Sequence, residues 1–336
     1  MMMKQILFFL TTASWTHKAP LVFAPECDRL QSQLGNACCG NRFLLMTNLT
    51  GNQVRDDLRL LLQLTLPITW ITGKPVIQLD TTSSQQLSSK ETLCHGGGHD
   101  KVVQDLNLVR GFLQGGMGDI SHYEDWTVRS DRHHKKLLSR IGDHVSFMEA
   151  LQKEAREPVR LDNFYTGHEV GFLPYEEQMT RNDSMSGKVY GCSSHFLWVG
   201  LDDDQMVDYL CEVENPVGLV VTETFSRQKV LETIKKLNPI NKHGKMTLLV
   251  QKMPQRTLAR LVDCVCQEGM HVVWCCDDDA KFLVDFLHMH NKKKTNVGGL
   301  FLRNHQNALK VLRVLSRHWK KKPSTPTPSW NRFSLE

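Results

Sequence analysis

Short, continuous apolar runs recur along the chain, and they constrain its fold more than any other feature of the sequence. Runs without polar alternation are typical of strands that are covered on both faces, as in parallel sheets and barrels. Seven runs have the length and composition of such strands: Phe43–Thr47, Pro75–Leu79, Phe196–Gly200, Val217–Val221, Met246–Val250, His271–Cys276 and Gly299–Leu302.

Amphipathic helical patterns separate these runs, and Ser226 is placed to cap one of them. The predicted helices are Gln53–Leu66, which we expect to end at Pro67, together with Ser226–Leu237, Leu258–Glu268 and Asn304–Trp319. Alternating strands and helices indicate an α/β fold with a parallel sheet. The number of strands favours a (β/α)8 barrel of the TIM type. Because only seven strands are recognisable, the sequence predicts an incomplete barrel.

The domain organisation follows from the spacing of the runs. The long stretch at 80–194 separates the second and third predicted strands, and its middle part has helical patterns. We interpret it as a helical insertion in one barrel that spans 20–322. Residues 1–19 form an N-terminal segment. The Pro-, Ser- and Thr-rich residues 323–336 are expected to be a disordered tail, since such a composition cannot bury a core.

Composition excludes several classes of protein. The chain has 336 residues, of which 40% are hydrophobic and 23% are charged, as in ordinary globular proteins. No apolar run approaches the ~20 residues that span a bilayer, so we expect no membrane association. The net charge of +5 is concentrated in a basic C-terminal helix end, and we do not expect it to bind nucleic acid. Ten scattered cysteines favour reduced thiols and a cytoplasmic protein.

Several segments, in order, resemble class II 3-deoxy-D-arabino-heptulosonate 7-phosphate (DAHP) synthase, the first enzyme of the shikimate pathway. They are PLVFAPECDRL (20–30), VRDDLRLLLQ (54–63), NLVRGFLQGGMGD (107–119), FYTGHEVGFLPYEEQMTR (164–181), HFLWVG (195–200), VVWCCD (272–277) and GGLFL (298–302). The chain is identified as a divergent, truncated member. The resemblance implies a transferase of aromatic amino acid biosynthesis, which condenses phosphoenolpyruvate with erythrose 4-phosphate at a divalent metal such as Mn, Co or Mg.

The family's substrate-binding cations are largely replaced. Compared with the family's motifs, Gln78 and Val220 stand where lysines are expected, and Gln251 stands where an arginine is expected. Asp202 and Asp204 occupy positions of two arginines. A phosphate beside these aspartates would be repelled rather than bound.

The family's metal ligands are replaced as well. No cysteine follows the first strand, Ala280 stands at the position of the family's histidine, and Arg303 stands at that of its glutamate. The motif that carries the family's aspartate ligand, together with an eighth strand, is not recognisable. The resemblance therefore implies a site that holds no cofactor, unless the chain is active.

A few positions of the family's substrate site are retained or partly compensated: His168, Glu169, Gln205, Asn215, Lys252 and Asp277. A new metal cluster is a separate hypothesis. It would take one aspartate from Asp202, Asp203 and Asp204 and one from Asp277, Asp278 and Asp279, since carboxylates at strand ends can hold Mg²⁺ or Ca²⁺. Cys94, His95 and His99 could also ligate zinc, although no second ligand pair accompanies them.

Two functions stay open at this point. The first is a catalytically degenerate homologue with a binding or regulatory role, in a specialised-metabolite pathway or beside an active paralogue. The second is an active aldolase-type transferase that uses phosphoenolpyruvate and erythrose 4-phosphate, or a related sugar phosphate, with rebuilt ligands. In either case we expect a homo-oligomer or a complex with a paralogue.

Overall fold

The computed structural model describes residues 19–48, 54–82, 107–109, 111–112, 115, 117, 164–303 and 307–320. Its helices are α1 (Ala19–Cys38), α2 (Val54–Thr72), α3 (Leu173–Met179), α4 (Asp204–Glu212), α5 (Arg227–Leu237), α6 (Gln255–Gln267), α7 (Ala280–Lys293) and α8 (Ala308–Lys320). Its strands are β1 (Phe43–Asn48), β2 (Val76–Thr82), β3 (Phe164–Glu169), β4 (Thr180–Asn182), β5 (Val189–Gly191), β6 (Phe196–Gly200), β7 (Val217–Val221), β8 (Met246–Val250), β9 (Val272–Asp277) and β10 (Gly299–Leu302).

Eight parallel strands close into a barrel in the order β1-β2-β3-β6-β7-β8-β9-β10. The barrel closes where β10 pairs with β1, with Leu44 opposite Gly299 and Thr47 opposite Leu302. The predicted barrel architecture is confirmed, but the prediction that it is incomplete is wrong. The strand that the sequence did not reveal is β3, because Thr166 and His168 interrupt its apolar character.

The predicted insertion at 80–194 also needs correction. Its last part holds the barrel strand β3, the helix α3 and the small antiparallel pair β4–β5, and the last two elements lie between the barrel strands β3 and β6. The remainder of that stretch falls mostly outside the described residues, as do the predicted N-terminal segment and the C-terminal tail.

Helix α2 continues to Thr72, beyond the predicted end at Pro67. A proline inside a helix costs about 3 kcal/mol. Ile68, the next residue, is buried in the apolar layer between helices and strands, and burial of such a side chain stabilises by about 1.5–3 kcal/mol. Packing of the later turns therefore offsets the effect of the proline. The predicted Ser226 cap is confirmed, since its hydroxyl accepts a hydrogen bond from the Lys229 amide.

The apolar side chains form two main layers. One layer lies between the strands and the surrounding helices, and the other fills the barrel, with Phe196, Trp198 and Phe301 among its largest members. Leu30 and Leu34 of α1 belong to this inner cluster, so α1 closes the end of the barrel where the strands begin. We call this end the base, and we call the opposite end, where the strands finish, the mouth.

Among the helices in the described ranges, none combines the length and the apolar character that a membrane span requires. The nine cysteines in these ranges are all free of disulfide bonds.

Candidate active site at the mouth of the barrel

Three neighbouring strands bring polar side chains together at the mouth. Leu249, Cys275 and Phe301 belong to the inner cluster of the barrel. Residues two positions further along a strand face the same side. Gln251, Asp277 and Arg303 therefore follow these three residues on the inner side, at the ends of β8, β9 and β10, which pair with one another.

Arg303 is the centre of this group. Its Nε atom lies 3.8 Å from Oδ1 of Asp277. The Gln251 amide, oriented with its oxygen toward the guanidinium, accepts hydrogen bonds from both terminal nitrogens, at 2.6 and 3.2 Å. The guanidinium also lies over the Phe301 ring, 4.8 Å from its centre. The Arg303 guanidinium is thus held in place by Asp277, Gln251 and Phe301.

Asp277 has an electrostatic environment of opposing effects. Burial raises its pKa above the ordinary value of an aspartate, while the Arg303 guanidinium opposes this shift. The guanidinium and the Asp278 amide, which donates to Oδ1 at 2.8 Å, both favour the ionised form of this partly buried carboxyl group.

The two aspartate triplets do not converge on one site. The only group of three His, Cys, Asp or Glu side chains with ligand atoms in mutual reach, within the described residues, lies elsewhere. In the first triplet, Asp203 caps α4 by accepting from the Met206 amide, and Asp204 pairs with Lys229 at 2.5 Å. Asp202 is exposed.

The second triplet is occupied by local structure. Asp278 accepts a hydrogen bond from the Arg303 amide at 3.1 Å. Asp279 caps α7 by accepting from the amides of Lys281 and Phe282, and hydrogen bonds from the helix amides lower its pKa. The hypothesis of a shared coordination shell is therefore not supported by the described residues, since Asp203 and Asp279 cap helices and Asp204 and Asp277 form ion pairs.

His168 lies behind the barrel wall rather than at the mouth. It belongs to the outward side of β3, where its Nε2 atom lies 2.7 Å from Oε1 of the buried Glu176, on α3. Its Nδ1 atom lies 2.8 Å from the Ser194 hydroxyl. The side chain thus joins β3 to α3 and the segment before β6. The strand thus places His168 on the outer side of the barrel, away from the mouth.

Asn215 also has a structural position, at the base. It is fully buried before β7, and its amide bonds to the backbone of Gly191 and Ser194. It therefore lies at the opposite end of the strands from the mouth.

The remaining predicted residues lie at the mouth or outside it. Glu169, at the end of β3, follows the inward positions Tyr165 and Gly167. Lys252 is exposed, 3.4 Å from Asp279. Gln205 is exposed on α4 and lines a cavity of about 300 Å³ between α3 and α4, outside the barrel. Of the six predicted residues, only Asp277 and Glu169 occupy inward positions at the mouth.

A family model of the Class-II DAHP synthetase family matches residues 94–311 of the chain. The chain belongs to this family. Phospho-2-dehydro-3-deoxyheptonate aldolase of Streptomyces coelicolor is 26% identical over 311 residues, which cover 77% of this chain and 69% of that protein. A probable chloroplastic phospho-2-dehydro-3-deoxyheptonate aldolase of Catharanthus roseus is 29% identical over 296 residues, which cover 77% of this chain and 59% of that protein.

A solved structure of phospho-2-dehydro-3-deoxyheptonate aldolase from Francisella tularensis superposes with a TM-score of 0.48 at 7% identity, covering 89% of this chain and 93% of that one. The eight-stranded barrel is established from the strand pairings within this chain itself.

The described residues at the mouth of this family member do not fit the divalent metal that its family implies. Hard and borderline divalent ions take several carboxylate, imidazole or thiolate ligands at one point. Here the Asp277 carboxylate faces the guanidinium of Arg303, so a second cation at the same place would be repelled. The sequence analysis missed the contacts of Arg303 with Asp277 and Gln251. The alternation of inward and outward residues along β8, β9 and β10 could have indicated them.

Proposed function

We propose that the chain is a catalytically degenerate member of the class II DAHP synthetase family with a binding or regulatory role. The observation that carries this proposal is the internal pairing of Arg303 with Asp277 and Gln251 at the mouth. In its resemblance to the family, Arg303 stands where a metal-binding glutamate is expected. A fixed guanidinium there would repel a divalent cation, and without that cation the site has no Lewis acid to polarise a carbonyl.

The replaced cations support the same proposal. Phosphorylated substrates are bound by arginine and lysine side chains that are available for charged hydrogen bonds. Val220, at a position where the family carries a lysine, is buried within the barrel. Arg303 would have to give up two partners of its own before it could bind a phosphate.

The regulatory role would be exerted on an active paralogue or a second copy of the chain, in the cytoplasm. Support for this part comes from family membership and from the retained barrel. Mixing the purified chain with an active class II enzyme, followed by size-exclusion chromatography and assay, tests it. We expect a complex to form and the turnover of the active enzyme to change. If no complex forms and the turnover stays the same, this role is contradicted.

The decisive test of the degenerate mouth is turnover. The purified full chain is incubated with phosphoenolpyruvate, erythrose 4-phosphate and Mn²⁺, Co²⁺ or Mg²⁺ in turn, and phosphate release is measured beside an active family member. We expect no release above the protein-free control. Release that is lost in Asp277→Asn would establish the alternative, an active aldolase-type transferase, and end our proposal.

A further inference from the structure

A cysteine and two histidines meet at the base, at the opposite end of the barrel from the mouth. Cys38 is the last residue of α1, His243 precedes β8 and His271 precedes β9. Their ligand atoms all lie within 4.8 Å of one another. The two imidazole rings stack, with 3.7 Å between their centres and an angle of 25° between their planes.

The backbone around the cluster is fixed by close packing. Gly244 has φ +75°, and a Cβ atom at this position would lie 2.0 Å from the Gln31 carbonyl oxygen on α1. The loop that carries His243 can therefore approach the helix only because this residue is glycine. A Cβ on Gly35 would lie 3.4 Å from the Cβ of His243, which places the His243 side chain directly over a bare part of α1.

Hydrogen bonds hold the other two members. The Asn241 side chain accepts from the His271 amide and donates to the Gly269 carbonyl, both at 2.8 Å. The Cys38 thiol donates to the Val272 carbonyl at 3.3 Å, next to His271 along the chain. The three side chains that could ligate a metal thus lie on backbone that is already held in place, as a metal site requires.

We propose that Cys38, His243 and His271 bind one zinc ion. A thiolate with two imidazoles is a ligand set that suits Zn²⁺, and three protein ligands with water in the fourth position form a tetrahedral site. When zinc binds, the Cys38 thiol releases its proton to solvent and gives up its hydrogen bond to Val272. Because zinc ligands lie about 2.0–2.3 Å from the ion, the three ligand atoms, which now lie within 4.8 Å of one another, move closer together when zinc binds.

The consequence is a link between the helix that closes the base and two barrel strands. Zinc would hold α1 to the loops that lead into β8 and β9. A ligand that binds only the folded chain stabilises it by mass action, so zinc raises the melting temperature with concentration. This function is independent of turnover at the mouth. It also means that bound zinc alone says nothing about catalysis.

The test uses the full chain, stripped of metal and titrated with Co²⁺ as a spectroscopic probe and then with Zn²⁺. We expect one equivalent of Co²⁺ to produce a sulfur-to-cobalt charge-transfer band and the visible bands of tetrahedral cobalt, and Zn²⁺ to displace both. Cys38→Ser should remove the charge-transfer band. His243→Ala should weaken binding severely without unfolding the chain, because His243 is exposed.

Matched variants separate this site from others. Cys266→Ser and His288→Ala change exposed residues of the same types on α6 and α7, and Asp277→Asn changes the mouth. Binding that persists in all three supports the proposal. Binding that is lost in Asp277→Asn, that is retained in both Cys38→Ser and His243→Ala, or that depends on the adjacent Cys39 instead of Cys38 would overturn it, as would the lack of any cobalt spectrum.

Discussion

The base and the mouth of the barrel are built from the same strands but stabilised differently. At the base, α1 covers the inner cluster with Leu30 and Leu34. At the mouth, charged groups are paired with one another and partly exposed, as with Arg303 and Asp277. In barrels of this type, residues at the base contribute to stability and residues at the mouth to chemistry. The comparison therefore assigns stability to the base and identifies the mouth as the end where the chemistry of the family is expected.

A buried lysine shows how a polar group is accommodated at the base. Lys245 donates to the carbonyls of Val213 and Asn215 at 2.6 and 2.8 Å. Burial lowers its pKa to about 8. The two hydrogen bonds offset part of the cost of burying a charged group. At the mouth, Asp277 has the Arg303 guanidinium beside it and also accepts a hydrogen bond from the Asp278 amide at 2.8 Å.

The largest expected effect is at the base, for Leu34→Ala. This side chain is fully buried against the inner cluster, and truncation of a buried leucine costs about 2–5 kcal/mol of the free energy of unfolding. Chemical denaturation monitored by circular dichroism measures it. Val284→Ala, at a half-exposed position of α7, is the control and should cost less than about 1 kcal/mol. A similar small loss for Leu34→Ala would show that α1 does not close the barrel.

A smaller effect is expected at the mouth, for Arg303→Met. This change leaves Asp277 without its cation, and we expect a loss of about 1–2 kcal/mol at pH 7, below the 3–5 kcal/mol of a fully buried pair because Arg303 is 32% exposed. The pKa of Asp277 would rise further, since the guanidinium that opposes the effect of burial is gone. The folded state then binds the Asp277 proton more tightly than the unfolded state, so the loss shrinks as the pH falls through that pKa.

The matched control is Arg303→Met combined with Asp277→Asn, with denaturation measured from pH 7 to pH 4. The double variant should recover most of the stability at pH 7, because it removes the unpaired charge, and it should lose the extra pH dependence. If Arg303→Met alone is as stable as the original chain at pH 7, the two side chains are not coupled. The proposal that rests on the pairing of Arg303 with Asp277 would then fail as well.

Local patterns were sufficient for most of the barrel, but they could not fix which way a side chain points. Gln78 and Gln251 both stand where the resemblance places a cation, so the motifs alone predict the same role for both. In the structure, Gln78 donates to the Thr65 hydroxyl of α2, behind the barrel, whereas Gln251 contacts Arg303 at the mouth. A shift of one residue reverses the face of a strand, so an alignment of motifs alone does not decide the role.

Long-range contacts were the other limit. The strand β3 was missed because its outward polar side chains are satisfied by residues much further along the chain, namely His195 for Thr166 and Ser194 for His168. Likewise, Cys38, His243 and His271 show no metal-binding spacing in the sequence. They meet only because the beginnings of neighbouring strands gather at one end of a closed barrel, beneath a helix.

The smallest expected effect tests whether the aspartates at the mouth serve helices rather than a metal. Asp279 accepts from two amides at the start of α7, and loss of such a cap costs about 1 kcal/mol. Asp279→Ala should lower the free energy of unfolding by that amount, whereas Asp279→Ser should preserve most of it, since a serine hydroxyl caps equally well. Lys252→Ala, which removes only the exposed partner of Asp279, should cost under about 0.5 kcal/mol.

The pH dependence of stability provides a second test of the helix cap formed by Asp279. Hydrogen bonds from the helix amides lower the pKa of Asp279, so the carboxylate's contribution is present above the ordinary aspartate value of about 3.9 and is lost as the pH falls through the lowered one. The difference between Asp279→Ala and the original chain should therefore narrow below pH 4. If Asp279→Ser were as unstable as Asp279→Ala at pH 7, capping would not be the role of this carboxylate, and a charge-dependent role at the mouth would have to replace it.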